Sequence, residues 1–392
     1  MQDQEKKPEN KNKLKLLVLK EQNQEENRVA LNPKTAQELK RKGFEIMIEQ
    51  GAGEKSFFQD KAYEKLGMEV IKRAEVAASQ ADVVIAINGP ADYKIEVLKN
   101  IKQNSYWISS FTPNKHLEVI KKLNLRQIGV FCLNLIPRIT RAQNMDVLSS
   151  QSNLAGYKAV IHGAYYLKKA FPLMMTAAGT INPAKVVVLG AGVAGLQAIA
   201  TAKRLGAQVE ASDVRASTKE QVESLGAKFI QVPIEESMED EKGYAKEADE
   251  DFLKKQALEV AKRIKQADVV ITTALVPGKK APILITQEMV KSMQPGSVIV
   301  DMAAVMGGNC ELTQPDQVNQ KHQVTIVGDT NLPSGVAQHA SKVYAKNIQA
   351  FLEEIAPKGE LKIDLENEII KQTLLADKGE ILHSELKGLL SN

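Results

Sequence analysis

The chain has 392 residues, of which 43% are hydrophobic and 26% are charged, a composition typical of a soluble protein that buries two substantial cores. The net charge is only +4 and aromatic residues make up 5% of the chain, so nucleic acid is not an expected partner. Two cysteines, Cys132 and Cys310, suit a reducing cytoplasm and exclude a disulfide scaffold or a cysteine-rich metal site, so we expect no metal. No uncharged apolar stretch reaches the roughly 18 residues needed to span a bilayer.

Strand-like apolar runs alternate with helical patterns along the first third of the chain, which predicts an α/β domain. The predicted strands cover residues 14–19, 44–48, 82–87, 106–109 and 128–131, and the clearest helix covers 33–41. A helical pattern from about residue 145 to 171 predicts the helix that joins two domains. We place the first domain at residues 1–145 plus about 342–392, and the second, with the joining helix, at 146–341.

A polar segment precedes the joining helix, and its polarity is unusual for a domain junction. It contains Arg138, Gln143, Asn144, Asp146 and Ser149 within one short span. A helix N-cap at Asn144 or Asp146 explains two or three of these side chains and not the rest. We expect a cleft between the two domains, where amide, guanidinium and carboxylate groups can fix the orientation of a bound ring.

The segment from Lys185 to Arg215 predicts a dinucleotide-binding unit. The apolar run 186–189 is typical of a parallel strand buried on both faces. Gly190 permits a tight turn, Gly192 lets the backbone approach a pyrophosphate, and Gly195 lets the next helix lie close to the strand. The phosphates then lie at the N-terminus of the helix, where free N–H groups and the positive end of the helix dipole favour anions.

An acidic residue at the end of the second strand of this unit predicts which dinucleotide binds. Asp213 follows the glycine turn by roughly 20 residues, the spacing of a carboxylate that accepts hydrogen bonds from a ribose diol and repels a 2′-phosphate. NAD(H) is therefore favoured, although Arg215, after Val214, is of the type that accommodates a 2′-phosphate. A glycine-rich turn in an unrelated α/β protein is the alternative on the glycines alone.

The second domain continues with predicted strands at residues 228–231, 268–271, 297–301 and 324–327, which complete a six-stranded doubly wound sheet. The insertion at 235–252 is dense in charge and cannot build a core, so it is either an exposed loop or a mobile lid that carries Tyr244. After about residue 341 a helical stretch should return to the first domain. Residues 358–392 are predicted as a surface helix or as a linker to a partner.

These residues resemble the NAD(H)-binding component, domain I, of proton-translocating nicotinamide nucleotide transhydrogenase. Residues 138–157 look like its signature loop, and the similarity extends to LKEQNQEENRVALNP, the glycine turn, TTALVPGK, GGNC and GDTNLPS. The resemblance implies a fold of two Rossmann-like doubly wound α/β domains with parallel sheets. It implies that the nicotinamide is surrounded by Arg138, Gln143, Asp146 and Ser149. The remaining cofactor-binding residues are then Gly190, Gly192, Val193, Ala194, Gly195, Asp213, Val214, Arg215, Tyr244, Thr273, Ala274 and Leu275.

The resemblance also implies a division of labour between subunits. This chain would bind NAD(H), a partner subunit would bind NADP(H), and hydride would pass directly between the two rings without a general acid or base. The five histidines are accordingly scattered and expected at surface or capping positions. Proton translocation would reside in membrane-spanning partner subunits. The chain itself would be a homodimer in the cytoplasm, peripheral to the inner (plasma) membrane.

Two other functions are compatible with parts of the sequence. Alanine dehydrogenase resembles the chain in the pattern around residues 20–31 and in the dinucleotide unit, but that family places a lysine and a histidine where this chain reads DVVIAINGP and SYWISSFTP. A non-catalytic NAD-binding regulatory module is the second alternative. The polar loop at residues 138–149 argues against it, because a sensor could bind NAD through its adenosine half alone.

Overall fold

A computed structural model of the chain describes residues 13–93, 95–231, 250–275 and 280–391. The chain divides into two compact units. Unit 1 consists of Met1–Ser150 and Ala337–Asn392, and unit 2 consists of Gln151–Val336. Both are α/β, which confirms the predicted fold class. No helix among the described residues combines the length and the apolar character needed to cross a membrane.

The strands of the described residues follow in chain order: β1 (Leu14–Val18), β2 (Phe44–Glu49), β3 (Glu69–Ile71), β4 (Val83–Ile85), β5 (Tyr106–Ser109), β6 (Gly129–Cys132), β7 (Met174–Thr176), β8 (Gly179–Ile181), β9 (Lys185–Leu189), β10 (Gln208–Ser212), β11 (Lys228–Phe229), β12 (Val269–Thr272), β13 (Val298–Asp301), β14 (Val318–Lys321), β15 (Val324–Val327), β16 (Leu374–Asp377) and β17 (Glu380–Ile381).

The α-helices are α1 (Pro33–Arg41), α2 (Asp60–Lys65), α3 (Ala74–Ala78), α4 (Ile95–Asn100), α5 (Leu117–Leu125), α6 (Val147–Tyr166), α7 (Val193–Arg204), α8 (Thr218–Ser224), α9 (Glu250–Ile264), α10 (Gln287–Ser292), α11 (Ala337–Ile355), α12 (Glu368–Thr373) and α13 (Ser384–Ser391). Helix α1 matches its predicted bounds. Asn32 caps it by accepting a hydrogen bond from the Thr35 amide, and Pro33 occupies its first turn.

Unit 1 is built on an eight-stranded sheet in the order β17-β16-β6-β5-β4-β1-β2-β3. Strands β1 to β6 are mutually parallel, and their order from the β3 edge, 3-2-1-4-5-6, is that of a doubly wound fold. Two hydrophobic clusters cover its faces, one of which contains α11 through Tyr344, Ile348 and Phe351. Strand β3 was not predicted, because it is an edge strand of three residues, one exposed and two only partly buried.

The C-terminal segment corrects one expectation. Residues 358–392 are neither a surface helix nor a linker along their whole length, because β16 pairs antiparallel with β6 and extends the sheet of unit 1. Ile369, Ile370 and Leu374 are buried in one hydrophobic cluster of this unit, and Leu375 is buried in the other. The segment is therefore part of the core of unit 1.

Unit 2 is built on a seven-stranded sheet in the order β11-β10-β9-β12-β13-β15-β14. The six parallel strands are those that the sequence predicted, with β9 at the centre. Strand β14 is an unpredicted seventh, antiparallel to β15. His322 and Gln323 link the two with positive φ angles of 50° and 62°, as a two-residue hairpin turn requires. The segment VNQK carries no strand signal because its one apolar side chain, Val318, is exposed.

A short hairpin stands apart from both large sheets. Strands β7 and β8 pair antiparallel through Met174–Ile181, Met175–Thr180 and Thr176–Gly179, and form a two-stranded sheet of their own. Phe171 and Ala184 are buried at its base, where the Ala184 amide donates to the Phe171 carbonyl at 3.0 Å. Residues 172–182 between them are exposed throughout.

Candidate functional site

Three predicted cofactor-binding segments meet at the carboxyl edge of the sheet of unit 2. Ser212, Leu189 and Thr272 lie opposite one another at the ends of the adjacent strands β10, β9 and β12. Asp213, Gly190 and Thr273 are therefore the first residues beyond one common row. The Gly190 amide donates to the Ser212 carbonyl at 2.8 Å, and the Thr273 amide donates to the Leu189 carbonyl at 2.8 Å. Ligands of doubly wound folds bind outside this edge, where the strand order reverses.

The glycine turn between β9 and α7 fits a dinucleotide diphosphate. Gly190 has φ of +101°, and a Cβ atom there would lie 2.4 Å from the Thr273 Oγ1. A Cβ atom on Gly195 would lie 1.9 Å from the Gly190 carbonyl oxygen, so only glycine lets α7 start this close to the strand. A Cβ atom on Gly192 would meet no described atom within 4 Å, which leaves open space in front of α7.

The first turn of α7 offers backbone donors to an anion. Gly192 is its N-cap, and no described side chain caps it. Val193 and Ala194 follow as the first helical residues, so their N–H groups have no acceptor within the helix, as in other phosphate-binding helix termini. Gly156 of α6 lies against this turn, because a Cβ atom there would be 2.2 Å from the Ala194 carbonyl oxygen.

Asp213 is held beside the glycine turn by four donors. Its Oδ2 accepts from the Ala191 amide at 2.7 Å and from Arg215 Nη2 at 3.0 Å. Its Oδ1 accepts from the Arg215 amide at 2.9 Å and from Arg215 Nε at 3.0 Å. Burial alone would raise the pKa of Asp213, but these hydrogen bonds, first those from Arg215, lower it below the ordinary value. The carboxylate is ionised and its acceptor capacity is filled.

The ion pair with Asp213 bears on cofactor choice. Arg215 is drawn onto the carboxylate, although its own side chain remains 44% exposed. A ribose diol that bound Asp213 would have to replace two of the arginine donors, and the exposed guanidinium has solvent to move into. While it is paired, Arg215 is engaged rather than free to receive a 2′-phosphate.

Asn309 positions the segment that follows β12, a role that sequence reasoning missed. Its side chain is fully buried, and it contacts Ala274 twice: Oδ1 accepts from the Ala274 amide at 3.1 Å and Nδ2 donates to the Ala274 carbonyl at 2.8 Å. Nδ2 also donates to the Pro282 carbonyl at 2.8 Å. The asparagine thereby ties both ends of the segment 274–282 together. Its only sequence signal was membership of the GGNC motif.

A buried carboxylate supports Asn309 from below. Asp301, at the end of β13, is fully buried and accepts from Thr272 Oγ1 at 2.9 Å and from Thr313 Oγ1 at 2.6 Å. It also accepts from the amides of Ala303 at 3.0 Å and Cys310 at 2.9 Å. The carboxylate thus joins the end of β12 to the residue next to Asn309.

Three of the predicted cofactor-binding side chains are apolar and exposed beyond the sheet edge: Val193, Val214 and Leu275. Each belongs to one of the three segments that meet there. Apolar side chains at such an edge suit the flat face of a nucleotide base. Tyr244 lies outside the described residues, as do residues 276–279 of the TTALVPGK motif.

The polar loop belongs to unit 1 and leads directly into α6. Asp146 acts as the helix cap: its Oδ1 accepts from the Ser149 amide at 2.9 Å, and its Oδ2 accepts from the Ser149 hydroxyl at 2.6 Å. The structure therefore brings Asp146 and Ser149 together. Arg138 and Gln143 are exposed, and neither side chain has a hydrogen-bonding partner within the described ranges of the chain.

Helix α11 and the C-terminal segment hold this loop in place. Asn347 Nδ2 donates to the Asn144 carbonyl at 2.8 Å, and the Ser150 hydroxyl donates to Asn347 Oδ1 at 2.7 Å. Arg141 reaches Glu354 at 2.7 Å and Asn367 at 2.8 Å. Arg141 is therefore a structural tie. The scaffold residues lie about two hundred positions away along the chain, and no motif or spacing indicates them.

A buried charged cluster lies elsewhere in unit 1, within the LKEQNQEENRVALNP motif. Glu26 and Arg28 form a two-point ion pair, with Nε to Oε1 at 2.8 Å and Nη2 to Oε2 at 2.7 Å. Glu21 accepts from the Ile87 amide at 2.7 Å and from Asn88 Nδ2 at 2.7 Å. Burial, with the charge of Glu26 as a smaller contribution, raises the pKa of Glu21 to about 7.

His116 is the N-cap residue of α5, but its side chain is buried and makes no hydrogen bond that caps this helix. His116 is buried with its ring 4.9 Å from that of Phe111, and its Nδ1 accepts from the Ala91 amide at 3.2 Å. Burial lowers the pKa of His116, so it is neutral near pH 7. No group of three or more potential metal ligands occurs in residues 13–93, 95–231, 250–275 and 280–391.

Two family models together match nearly the whole chain. Residues 17–155 match the description "Alanine dehydrogenase/PNT, N-terminal domain", and residues 159–384 match "Alanine dehydrogenase/PNT, C-terminal domain". The chain belongs to the alanine dehydrogenase/PNT family. The two models together cover parts of both α/β units.

The chain is more similar to the transhydrogenase relatives of this family than to its alanine dehydrogenases. The first part of NAD(P) transhydrogenase subunit alpha of Rhodospirillum rubrum is 49% identical over 381 residues, covering 96% of this chain and 99% of the relative. Alanine dehydrogenase of Bacillus subtilis is 28% identical over 93% of this chain and 92% of its own. The crystal structure of transhydrogenase from Sinorhizobium meliloti matches with a TM-score of 0.83 and 42% identity, covering 95% of this chain and 99% of that one. The transhydrogenase resemblance is confirmed.

Proposed function

We propose that this chain is the NAD(H)-binding subunit of a proton-translocating transhydrogenase and exchanges hydride with NADP(H) bound on a partner subunit. The observation that carries the proposal is the meeting of the glycine turn, Asp213 and Thr273 at one sheet edge, in a chain 49% identical to the first part of a transhydrogenase alpha subunit. NAD(H), when bound, supplies the transferable hydride on its nicotinamide ring.

The residues of unit 2 hold the dinucleotide in this proposal. The N–H groups at Val193 and Ala194 bind the diphosphate, and Gly190, Gly192 and Gly195 leave the room that this approach needs. Asp213 binds the adenosine ribose, and the segment Thr273–Leu275, held by Asn309, lies against the cofactor from the β12 side.

The polar loop orients the nicotinamide in this proposal. Arg138 and Gln143 are exposed side chains with donors available, and Asp146 and Ser149 are fixed to each other at the start of α6. Neither group of residues has to move a proton, since hydride donor and acceptor are both nicotinamide rings. The loop acts by position, and misplacement by about 1 Å can reduce such a rate about 100-fold.

Asp146→Asn tests the role of the loop. Asparagine is an equally good helix cap, so the start of α6 is kept while the charge is lost. We expect NADH affinity, followed by nucleotide fluorescence, to change less than about threefold, whereas hydride transfer with the partner subunits falls about 100-fold. Asn144→Asp is the matched control, because Asn144 is an exposed residue of the same loop, and it should leave hydride transfer unchanged.

The outcomes separate the candidate functions. Transfer that survives Asp146→Asn would refute the positioning role of the loop. NADH binding without any hydride transfer by the wild type, even with the partner subunits present, would favour a regulatory NAD-binding module. NADH oxidation by the chain alone with pyruvate and ammonia would instead identify an alanine dehydrogenase activity. Selective binding of NADH, with hydride transfer only when the partner subunits are added, supports the transhydrogenase proposal.

We further propose that the chain is a homodimer in the cytoplasm and is held at the inner (plasma) membrane by membrane-spanning partner subunits. The subunit naming of the R. rubrum relative supports the partner subunits, and the homodimer rests on the resemblance to the transhydrogenase component alone. Cell fractionation tests it: the chain should sediment with membranes when the partner subunits are co-expressed and stay in the supernatant without them. Membrane association without the partners would contradict the proposal.

A further inference from the structure

A cavity of about 570 Å³ lies in unit 1 between the C-terminal ends of α1 and α11. Residues 41–44 line one side of it, and Glu353 and residues 356–358 line the other. The turns that follow the two helices are in contact, because a Cβ atom on Gly359 would be 3.3 Å from the carbonyl oxygens of both Lys42 and Gly43. The volume is within the range of small-molecule sites, about 300–1,000 Å³.

Three cations line this cavity, and two of them are unpaired. Lys42 forms an ion pair with Glu353. Arg41 and Lys358 are exposed, and neither side chain has a hydrogen-bonding or ionic partner in the described parts of the chain. Cations at helix ends also complement the helix dipole, but the ends of α1 and α11 supply only about half a negative charge each. Three positive charges, less Glu353 and the two helix ends, leave the cavity with a net charge of about +1.

The remainder of the lining is apolar. Phe44 and Ala356 are buried members of a hydrophobic cluster of unit 1, and Pro357 lies beside them. A ligand that fills the cavity therefore presents apolar atoms to these groups and an anionic group to the cations. An organic carboxylate has both parts: its single negative charge matches the net charge, and guanidinium and carboxylate groups form short, charge-assisted hydrogen bonds.

The backbone of Lys358 has the strain that is typical of ligand-binding turns. Its φ is +60°, in the left-handed region that side chains other than that of glycine rarely adopt. Such a conformation costs free energy, and strained residues cluster at sites that bind ligands. A glycine at this position would relieve the strain and remove the charge from the edge of the cavity.

We propose that the cavity between α1 and α11 binds a small organic carboxylate, whose anionic group contacts Arg41 and Lys358 and whose apolar body lies over Phe44 and Ala356. The site belongs to unit 1, whereas the glycine turn and Asp213 belong to unit 2. The proposal is therefore independent of the nucleotide function proposed above.

Isothermal titration calorimetry of the full chain with naphthoate, in the presence of saturating NADH, tests the proposal. NADH fills the nucleotide site, so the heat of naphthoate binding reports a different one. We expect one naphthoate to bind per chain. Acetate has the charge without the body and naphthol has the body without the charge, and each should bind at least about tenfold more weakly. Should NADH fail to bind, naphthoate can be titrated alone, so the two proposals fail separately.

Two substitutions should weaken this binding. Arg41→Gln and Lys358→Gln each remove a charged donor from an exposed position, and each should raise the Kd for naphthoate at least about tenfold. Lys99→Gln is the matched control, because Lys99 is also an exposed cation in the last turn of a helix of unit 1. It should leave the Kd unchanged.

A third substitution should strengthen the binding, which damage to the fold could not do. Glu353→Gln removes the carboxylate that pairs with Lys42, so a third cation is released and the Kd for naphthoate should fall about threefold. Weaker binding by Glu353→Gln would contradict the proposal. No binding of naphthoate to the wild type, equal binding of naphthol, or a Kd that Arg41→Gln and Lys358→Gln leave unchanged would each overturn it.

Discussion

Asn309→Ala should lower the free energy of unfolding more than an alanine substitution at an exposed position would. The substitution removes three hydrogen bonds and leaves the Ala274 amide, the Ala274 carbonyl and the Pro282 carbonyl without their partner. A buried backbone group left unpaired costs roughly 1–3 kcal/mol. Because Ala274 is only partly buried and Pro282 is exposed, we take the low end for each group and expect a loss of about 3 kcal/mol in the free energy of unfolding.

The same loss should appear in cofactor binding. Without Asn309 the segment Thr273–Leu275 must be ordered when NADH binds, and we expect the Kd to rise about tenfold, equivalent to about 1.4 kcal/mol. Urea unfolding and fluorescence titration with NADH measure the two effects. Asn319→Ala is the matched control, since the hydrogen bond of the Asn319 side chain to the Leu312 carbonyl is long at 3.3 Å. Equal losses in both variants would refute the role assigned to Asn309.

Three further predictions address the ion pair, the buried acid and the C-terminal strand. Asp213→Asn should weaken NADH binding about tenfold and strengthen NADPH binding, because Arg215 is released towards a 2′-phosphate; titration with both nucleotides decides, and unchanged selectivity would contradict it. The pKa of Glu21 is raised to about 7, so its contribution to stability is complete below the ordinary value of 4.5 and is lost as pH rises through 7. Wild-type unfolding free energy should therefore fall by on the order of 3 kcal/mol over that window, and Glu21→Gln should flatten the profile; equal profiles would refute the assignment. Truncation after residue 357 should destabilise unit 1, because it removes β16 and buried side chains such as Ile370 and Leu374; thermal unfolding that matched the full chain would exclude this.

The elements of the fold that local sequence dictates were predictable. Strands β5 and β15 and helix α1 have the bounds that their apolar runs and the Asn32–Pro33 start predicted. The central strands of both sheets are buried on both faces and read as continuous apolar runs, which leave little ambiguity. The glycine turn was equally predictable, because each glycine is required for a local steric reason and the three occur at a fixed spacing.

The remainder depends on contacts between distant positions. Strand β16 carries only the short run LLA, and its pairing with β6 joins residues more than two hundred positions apart. Asn347 and Glu354 support the polar loop across similar separations, and Asn309 reaches Ala274 across 35 positions. The ion pair between Asp213 and Arg215 could not be predicted either. The sequence shows that the two residues are two positions apart, but not that the guanidinium donates to the carboxylate.

The division of the sheet of unit 1 between the two ends of the chain sets an order of events during synthesis. Unit 2 is one continuous segment, Gln151–Val336, and can fold as soon as it leaves the ribosome. Unit 1 cannot complete its core until α11 and β16 have been synthesised. The apolar side chains of β1 to β6 that these elements cover are therefore exposed while unit 2 is being synthesised. Chains arrested near residue 340 should accordingly show protease resistance in unit 2 and cleavage in unit 1. A chaperone that binds apolar strands would therefore bind the strands of unit 1 during the synthesis of unit 2.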